Sequence, residues 1–337
     1  AASRSVPSIG SATIWLHRLA TTTFEGSMVA PLIEQTVSRR NRSAVTSTLV
    51  ILGASLMDAG NIAGLAPVIG RKPFVDSIYD KGGNVRASDG PVLGEHVVRR
   101  MGGDPMNRQL FDVLSFESAQ SVDVHNYAHG GAQSDGEPSQ SLFGLRVGIG
   151  LADQVQSMQQ RADFYQSHAD VDVLISSGGN DLLNTLGDLK PFERVLSTEK
   201  NKDDRRFMRS ISRPISRNII RAVDDITGLV DEMVVIGTLP ISETPRARRR
   251  ASKVKGARQE DVLELLDAIS LDLQRRLGKA FDSRPDVALL DGRSLWTQLD
   301  NPVFLDDEHP NSRTSKRFAT LAVPLAAEQL QSFGFDA

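Results

Sequence analysis

The sequence predicts an α/β fold, a three-layer α/β/α sandwich built on a doubly wound sheet of about five parallel strands. Four apolar, β-branched runs carry this prediction, at residues 48–52, 171–176, 233–238 and 287–290. They are continuous rather than alternating, which is typical of parallel strands buried on both faces. Segments with helical periodicity lie between them, and this order implies βαβ units with helices on both sides of the sheet.

The helical pattern is found in four segments, at residues 151–168, 215–230, 260–281 and 312–330. The clearest is 260–281, where apolar residues fall on one face of the predicted helix. Parallel sheets of this kind bind their ligands at the carboxyl ends of the strands. We therefore expect functional residues directly after the predicted strands.

Composition excludes several classes of protein. The chain has 337 residues and a net charge of −3, which gives no indication of nucleic acid or a membrane as its main partner. It has no cysteine, so a thiol nucleophile, a disulfide framework and a thiolate metal site are excluded. No apolar run approaches the roughly 18 residues of a membrane span. Residues 1–46, rich in Ser, Thr and Arg, are predicted as an N-terminal extension, and residues 47–337 as one domain.

Two segments near predicted strands have residues suited to acyl chemistry. Ser55 follows the first strand within residues 53–61, where a helix N-terminus can face developing negative charge. Alternatively, Ser55 caps the next helix. Residues 126–133 contain the pair Gly130-Gly131, which lets the backbone approach a ligand and offer an N–H group, or else forms a simple tight turn.

Two further segments supply an amide and an imidazole. Asn180 follows the 171–176 run and could donate to an oxyanion, although it or Asp181 could instead cap a helix. Near the C-terminus, Asp306 precedes His309 by three residues, so its carboxylate can fix the tautomer of the imidazole. The alternative for this segment is a surface turn before Pro310. Each signal is weak singly, and their order along the chain is the stronger observation.

Together these segments resemble the four blocks of the SGNH (GDSL) hydrolase family, in particular its lipase/esterase branch, whose first block reads Gly-Asp-Ser-Leu-x-Asp-x-Gly-Asn. The resemblance extends from about Leu49 to the last predicted helix, and residues 234–240 with Thr244-Pro245 resemble the fourth strand and loop of that branch. It implies a flavodoxin-like strand order, a serine esterase or lipase without metal or cofactor, and a secreted or periplasmic location.

Carried over residue by residue, the resemblance implies that Ser55 is the nucleophile, His309 the general base and Asp306 the acid that orients it. The backbone N–H groups of Ser55 and Gly131 and the side chain of Asn180 match the oxyanion hole. The family places its glycine donor second, which favours Gly131 over Gly130.

One position departs from the family pattern. Ala54 stands where the first block has Asp before the nucleophile. The resemblance gives this Asp a structural role rather than a covalent one. That role is near residues 306–311, which carry His309 and are called the histidine loop. Loss of this Asp leaves the triad intact and raises the question of what makes the histidine loop rigid.

Several remaining features have both a structural and a functional interpretation. His129 and Met57 are candidates to line the substrate pocket. His125 and His129 are four residues apart without a third ligand, so no metal is predicted. Arg246–Arg258 carries seven basic residues and no acidic one. It is either a solvated loop and helix start or a surface for phospholipid head groups or acidic polysaccharide.

Other functions fit the same scaffold. A carbohydrate O-acetyl esterase would release acetate, although the aromatic fraction of 5% disfavours a large glycan cleft. An acyltransferase would use an alcohol in place of water. A non-catalytic binding module would lack an activated serine.

Overall fold

The computed structural model describes residues 47–64, 74, 76–79, 86–103, 122–136, 148–168, 170–197 and 201–330. The predicted N-terminal extension, residues 1–46, lies outside the described residues, so that the domain division remains a prediction. No helix within the described ranges is long and apolar enough to cross a membrane.

The described part of the chain forms a five-stranded, wholly parallel sheet, which confirms the predicted fold class and strand order. The order is β2-β1-β3-β4-β5. All residues of the first three strands are buried, as expected for strands covered on both faces. The sequence patterns identified every strand except β2. The strands are β1 Ser47–Gly53, β2 Val122–Asn126, β3 Val171–Ser176, β4 Glu232–Ile236 and β5 Val287–Leu290.

Helices connect and cover the strands. The predicted helix 151–168 is in fact two helices, because the chain leaves the helical conformation at Arg161. The helix expected from residue 215 begins earlier and continues through Pro214. The helices are α1 Asn61–Gly64, α2 Leu93–Arg100, α3 Leu151–Gln159, α4 Ala162–Gln166, α5 Gly179–Thr185, α6 Lys190–Leu196, α7 Asn201–Ile226, α8 Pro245–Ala251, α9 Gln259–Phe281, α10 Gly292–Thr297 and α11 Ser312–Gln329, with a 3₁₀ turn at Ile241–Glu243.

Alternate side chains of each strand supply two hydrophobic cores. Val50 and Leu52 of β1 pack in the core that contains α3, α7 and α9. Leu49 and Ile51 point the other way, into the core of α2, α10 and α11. Because successive strand side chains alternate between faces, one apolar run contributes to both layers. The cores fix the strands in register, so the loops after β1, β2 and β3 meet at one edge.

Candidate active site

The chain turns sharply after β1 and positions Ser55 at the carboxyl edge of the sheet. Gly53 has φ +143°, and a Cβ atom there would lie 2.2 Å from the backbone oxygen of Ser176. Only glycine fits so close to β3. The N–H groups of Met57 and Asp58 then donate to the Ala54 carbonyl, at 2.9 and 3.0 Å. This turn leaves Ser55 8% exposed.

The Ser55 hydroxyl contacts the imidazole of His309, which lies 254 residues further along the chain. Ser55 Oγ lies 2.9 Å from His309 Nε2. The other ring nitrogen, Nδ1, lies 2.7 Å from Asp306 Oδ2. The structure therefore brings together the three residues that the sequence predicted as nucleophile, base and orienting acid. With Nδ1–H donating to the carboxylate, Nε2 is free to accept the serine proton.

Asp306 is bound on both of its oxygens. Oδ1 accepts the backbone N–H groups of Glu308 and His309, at 2.7 and 2.6 Å. Burial alone would raise the pKa of Asp306, but the His309 ring and these N–H groups outweigh it and lower that pKa well below its ordinary value. Asp306 is consequently ionised at neutral pH, as an acid that stabilises an imidazolium must be.

Tyr79 is a contact of this group that the sequence did not indicate. Its hydroxyl donates to Asp306 Oδ2 at 2.7 Å. Burial, and then the Asp306 carboxylate, raise the pKa of Tyr79, so it remains a donor. Phe74 packs edge-on against His309 with 5.9 Å between ring centroids. No sequence motif marks Phe74 or Tyr79, since only folding brings them to the histidine loop.

Arginines of α8 bind the acidic residues next to His309. Arg249 donates to both oxygens of Asp307, at 2.6 and 2.5 Å. Arg246 pairs with Glu308, and its backbone N–H donates to the Asp307 carbonyl at 2.9 Å. The hydrogen bonds from Arg249 lower the pKa of Asp307. In this chain, which has Ala54 where the family pattern has Asp, the histidine loop is thus contacted by α8 and by Tyr79.

Other arginines of the basic segment also have partners within the protein. Arg250 donates to the carbonyls of Leu186 and Gly187, at 2.8 and 2.9 Å. Arg258 pairs with Asp261 one turn along α9. The run that the sequence suggested as an anion-binding surface is therefore occupied largely with internal contacts.

The loop after β2 that contains Gly130 and Gly131, called here the glycine loop, has two backbone N–H groups that differ in their hydrogen bonding. Gly130 N–H donates to Asp58 Oδ2 at 2.7 Å. Gly131 adopts φ +82°, which favours glycine, and within the described ranges no acceptor is bonded to its N–H. Asp58 also accepts hydrogen bonds from the backbone N–H groups of Gly60 and Asn61, at 2.7 and 2.5 Å. It therefore joins the segment after Ser55 to the glycine loop.

Asn180 lies at the start of α5, with its amide bonded to the glycine loop. Its Nδ2 donates to the Ala132 carbonyl at 2.8 Å, and no side chain caps this helix. An amide nitrogen has two hydrogens, so the second is available to a ligand. The neighbouring Asp181 accepts from Ser134 N and Oγ, at 2.9 and 2.6 Å. These bonds hold the start of α5 against the glycine loop and the residues that follow it.

A cavity of about 60 Å³ opens beside Ser55, His309 and Asn180. The two residues suggested as pocket lining are not among its walls. Met57 is fully buried in the core beside α2, and His129 turns its Nδ1 to the Tyr127 carbonyl at 2.8 Å. The walls are mainly apolar, with side chains from Leu56, Leu183, Leu239, Ile241 and Phe304.

Comparison with known proteins identifies the family. The model of the GDSL-like lipase/acylhydrolase family matches residues 49–322. No curated protein matches the chain. Among solved structures, an extracellular lipase from Streptomyces rimosus is 12% identical, with 83% of this chain and 99% of that chain covered and a TM-score of 0.44.

Two other solved structures are similar at the same level. A lipolytic G-D-S-L family protein from Veillonella parvula is 13% identical over 82% of this chain and 97% of that one, with a TM-score of 0.38. An acetylxylan esterase from Geobacillus stearothermophilus is 12% identical over 86% and 98%, with a TM-score of 0.41. Since the family model covers most of the chain, this protein belongs to the GDSL-like lipase/acylhydrolase family and is a carboxylic ester hydrolase.

Proposed function

We propose that the protein hydrolyses esters through an acyl-enzyme intermediate on Ser55, with His309 as general base and Asp306 as its orienting acid. The observation that carries this proposal is the hydrogen-bonded series from Ser55 Oγ to His309 and on to Asp306. A free serine hydroxyl is a poor nucleophile at neutral pH, and an adjacent base is what activates it.

In the first step, His309 Nε2 takes the proton of Ser55 as Oγ bonds to the carbonyl carbon of the ester. The tetrahedral intermediate collapses, the carbon–oxygen bond to the alcohol breaks, and the imidazolium gives its proton to the leaving alcohol. Water then attacks the acyl-enzyme with His309 again as base, which releases the acid and restores Ser55. Asp306 stabilises the imidazolium in both steps.

We propose that three donors bind the negatively charged oxygen of the tetrahedral intermediate, namely Ser55 N–H, Gly131 N–H and Asn180 Nδ2. The absence of an internal acceptor for Gly131 N–H within the described ranges supports this assignment. So does the bond from Asn180 to Ala132, because it fixes the amide while leaving one hydrogen for the substrate. One such donor typically contributes about 100- to 1000-fold in rate.

A short acyl group is favoured over a long one by the cavity beside Ser55. Its volume of about 60 Å³ is far below that of a drug-sized pocket, roughly 300–1000 Å³. Because of this small volume, an O-acetyl esterase stays the second candidate. Transfer of the acyl group to an alcohol is a variant of the same chemistry. The anion-binding role suggested for Arg246–Arg258 stays a hypothesis, and the internal pairs of Arg246 and Arg249 count against it.

A panel of nitrophenyl esters of increasing acyl length tests the proposal, measured with the wild type and Ser55→Ala. We expect hydrolysis by the wild type, with acetate and butyrate preferred, and no hydrolysis above background by the variant. A fluorophosphonate probe should label the wild type only. Retained hydrolysis in Ser55→Ala would reject the mechanism, and an unlabelled, inactive wild type would favour a binding module.

A further inference from the structure

A basic groove of about 790 Å³ lies on the outer side of α7 and α9, separate from the Ser55 cavity. Four arginines of α7 line it at spacings of three, four and four residues, which places them on one face of the helix. Three cations of α9 line the other wall. The α7 residues are Arg206, Arg209, Arg213 and Arg217, and the α9 residues are Arg275, Arg276 and Lys279.

The positive charge of the groove is scarcely neutralised by acidic residues of the protein. Its one acidic residue, Asp272, is bound by Arg276 Nε at 2.8 Å and by Ser212 Oγ at 2.5 Å. No carboxylate of the described residues forms an ion pair with the four α7 arginines of the groove or with Lys279. Asp272 therefore pairs with Arg275 and Arg276, and the other five cations of the groove have no carboxylate partner among the described residues.

The row of arginines lowers the stability of α7. Arg209, Arg213 and Arg217 are successive i,i+4 neighbours of like charge, which destabilises a helix. Other arginines of the described residues are paired with acids, for example Arg284 with Asp286 and Arg293 with Asp267. A row of unpaired arginines in a protein of net charge −3 indicates a ligand of opposite charge.

The chemistry of the groove favours phosphate groups at a surface. Six of its seven cations are arginine, whose planar guanidinium binds phosphate oxygens in pairs. Its lining has no aromatic side chain, whereas single-stranded nucleic acid is usually bound by aromatic stacking. Leu271, one turn before Arg275 on α9, is 47% exposed and can enter the apolar layer below a row of head groups.

We propose that this basic groove docks on the surface of an anionic phospholipid bilayer. The arginines of α7 extend over about 16 Å at 1.5 Å per residue, so several head groups can be bound at once. Clusters of four to eight cations on a helix bind acidic lipids by this means. The groove brings a hydrolase of acyl esters to an interface, and this docking does not depend on the chemistry of Ser55.

Vesicle co-sedimentation tests the proposal with the intact chain. The vesicles are phosphatidylcholine alone, or phosphatidylcholine with about one-third phosphatidylglycerol. We expect the wild type to sediment with the anionic vesicles only, and to be released as ionic strength rises, because exposed charges are screened by salt.

The variant Arg209→Glu/Arg213→Glu should weaken binding to anionic vesicles by about tenfold or more. The matched control is Arg99→Glu/Arg100→Glu on α2, where two exposed arginines are reversed on the other side of the sheet. The control should bind as the wild type does. Unchanged circular dichroism and hydrolysis of a soluble ester show that both variants are folded.

Three results would overturn the proposal. The first is a wild type that ignores anionic vesicles or binds neutral ones equally well. The second is an equal loss in the α2 control, which would indicate net charge rather than the groove. The third is binding to single-stranded oligonucleotide or polyphosphate without binding to vesicles. Sedimentation is independent of turnover, so failure here leaves the proposed ester hydrolysis untouched.

Discussion

The arginines of α8 and those of the basic groove differ in what surrounds them, although both come from arginine-rich runs. Arg246 and Arg249 meet Glu308 and Asp307 next to the catalytic candidate His309. The four α7 arginines of the groove meet no acid among the described residues. The same residue type thus stabilises a loop in one place and leaves an unneutralised surface in the other.

This difference has a simple physical origin. A guanidinium is always charged, and its contribution depends on whether folding brings a carboxylate within a few ångströms. The turn after β4 places α8 against the histidine loop, which is rich in acids, while α7 and α9 pack side by side with cations on both. Substitutions in the two groups of arginines should therefore differ in their effects on turnover and stability.

The largest loss of turnover is expected for substitution of Asp306, which is next to the acids that α8 contacts. Asp306→Asn retains an oxygen for the two backbone N–H groups but presents an amide to His309 Nδ1, which favours the wrong tautomer. We expect kcat to fall by about 1000- to 10,000-fold with little change in KM. Steady-state kinetics on a soluble ester measures this. A loss below tenfold would remove Asp306 from the orienting role.

Arg246→Met should lower kcat about tenfold, because it leaves the half-buried Glu308 without its cation and loosens the histidine loop. KM should change less, since Arg246 does not line the cavity beside Ser55. Arg246→Lys keeps the charge and should restore part of the rate. If both variants turn over as the wild type does, α8 does not position His309.

A smaller loss, about threefold in kcat, is expected for Arg249→Ala, whose pair with Asp307 is half exposed and therefore weak. The matched variant is Arg213→Ala in the basic groove, which should hydrolyse soluble esters at the wild-type rate. An equal effect of both substitutions would contradict the distinction between the two arginine groups.

Acidification should reduce the stabilising effect of Arg249. The pKa of Asp307 is lowered by this arginine, so the stability it contributes is present above about pH 4 and is lost as pH falls further. At neutral pH we expect Arg249→Ala to melt about 1–2 °C below the wild type. Near pH 3 the two melting temperatures should converge. A gap that persists at low pH would mean that Arg249 acts through packing rather than charge.

The strands and the candidate site could be predicted from different kinds of signal. Strands β1, β3, β4 and β5 appear as continuous apolar runs, and all are found in the sheet. β2 was missed because Asp123, His125 and Asn126 interrupt its apolar pattern. They are buried all the same, and His125 is bonded to Asp123 and Tyr165, at 3.1 and 2.9 Å.

Among single residues, the prediction was least successful where a side chain's direction matters. Met57 was suggested as pocket lining. The turn at Ala54 instead directs it into the core, where its side chain and backbone lie against Gly94. Tyr79 carries no local pattern, and its bond to Asp306 joins positions 227 residues apart.

By itself, the sequence determined the fold class, the family, and which hydroxyl, imidazole and carboxylate are candidates for catalysis. Those features depend on local periodicity and on short motifs, which a chain carries whether or not it is folded. Only the tertiary structure decided which arginines are neutralised, which tyrosine supports Asp306 and which glycine N–H remains available. Electrostatic and hydrogen-bond partners are set by distances of a few ångströms between remote segments, and packing of the two cores fixes those distances.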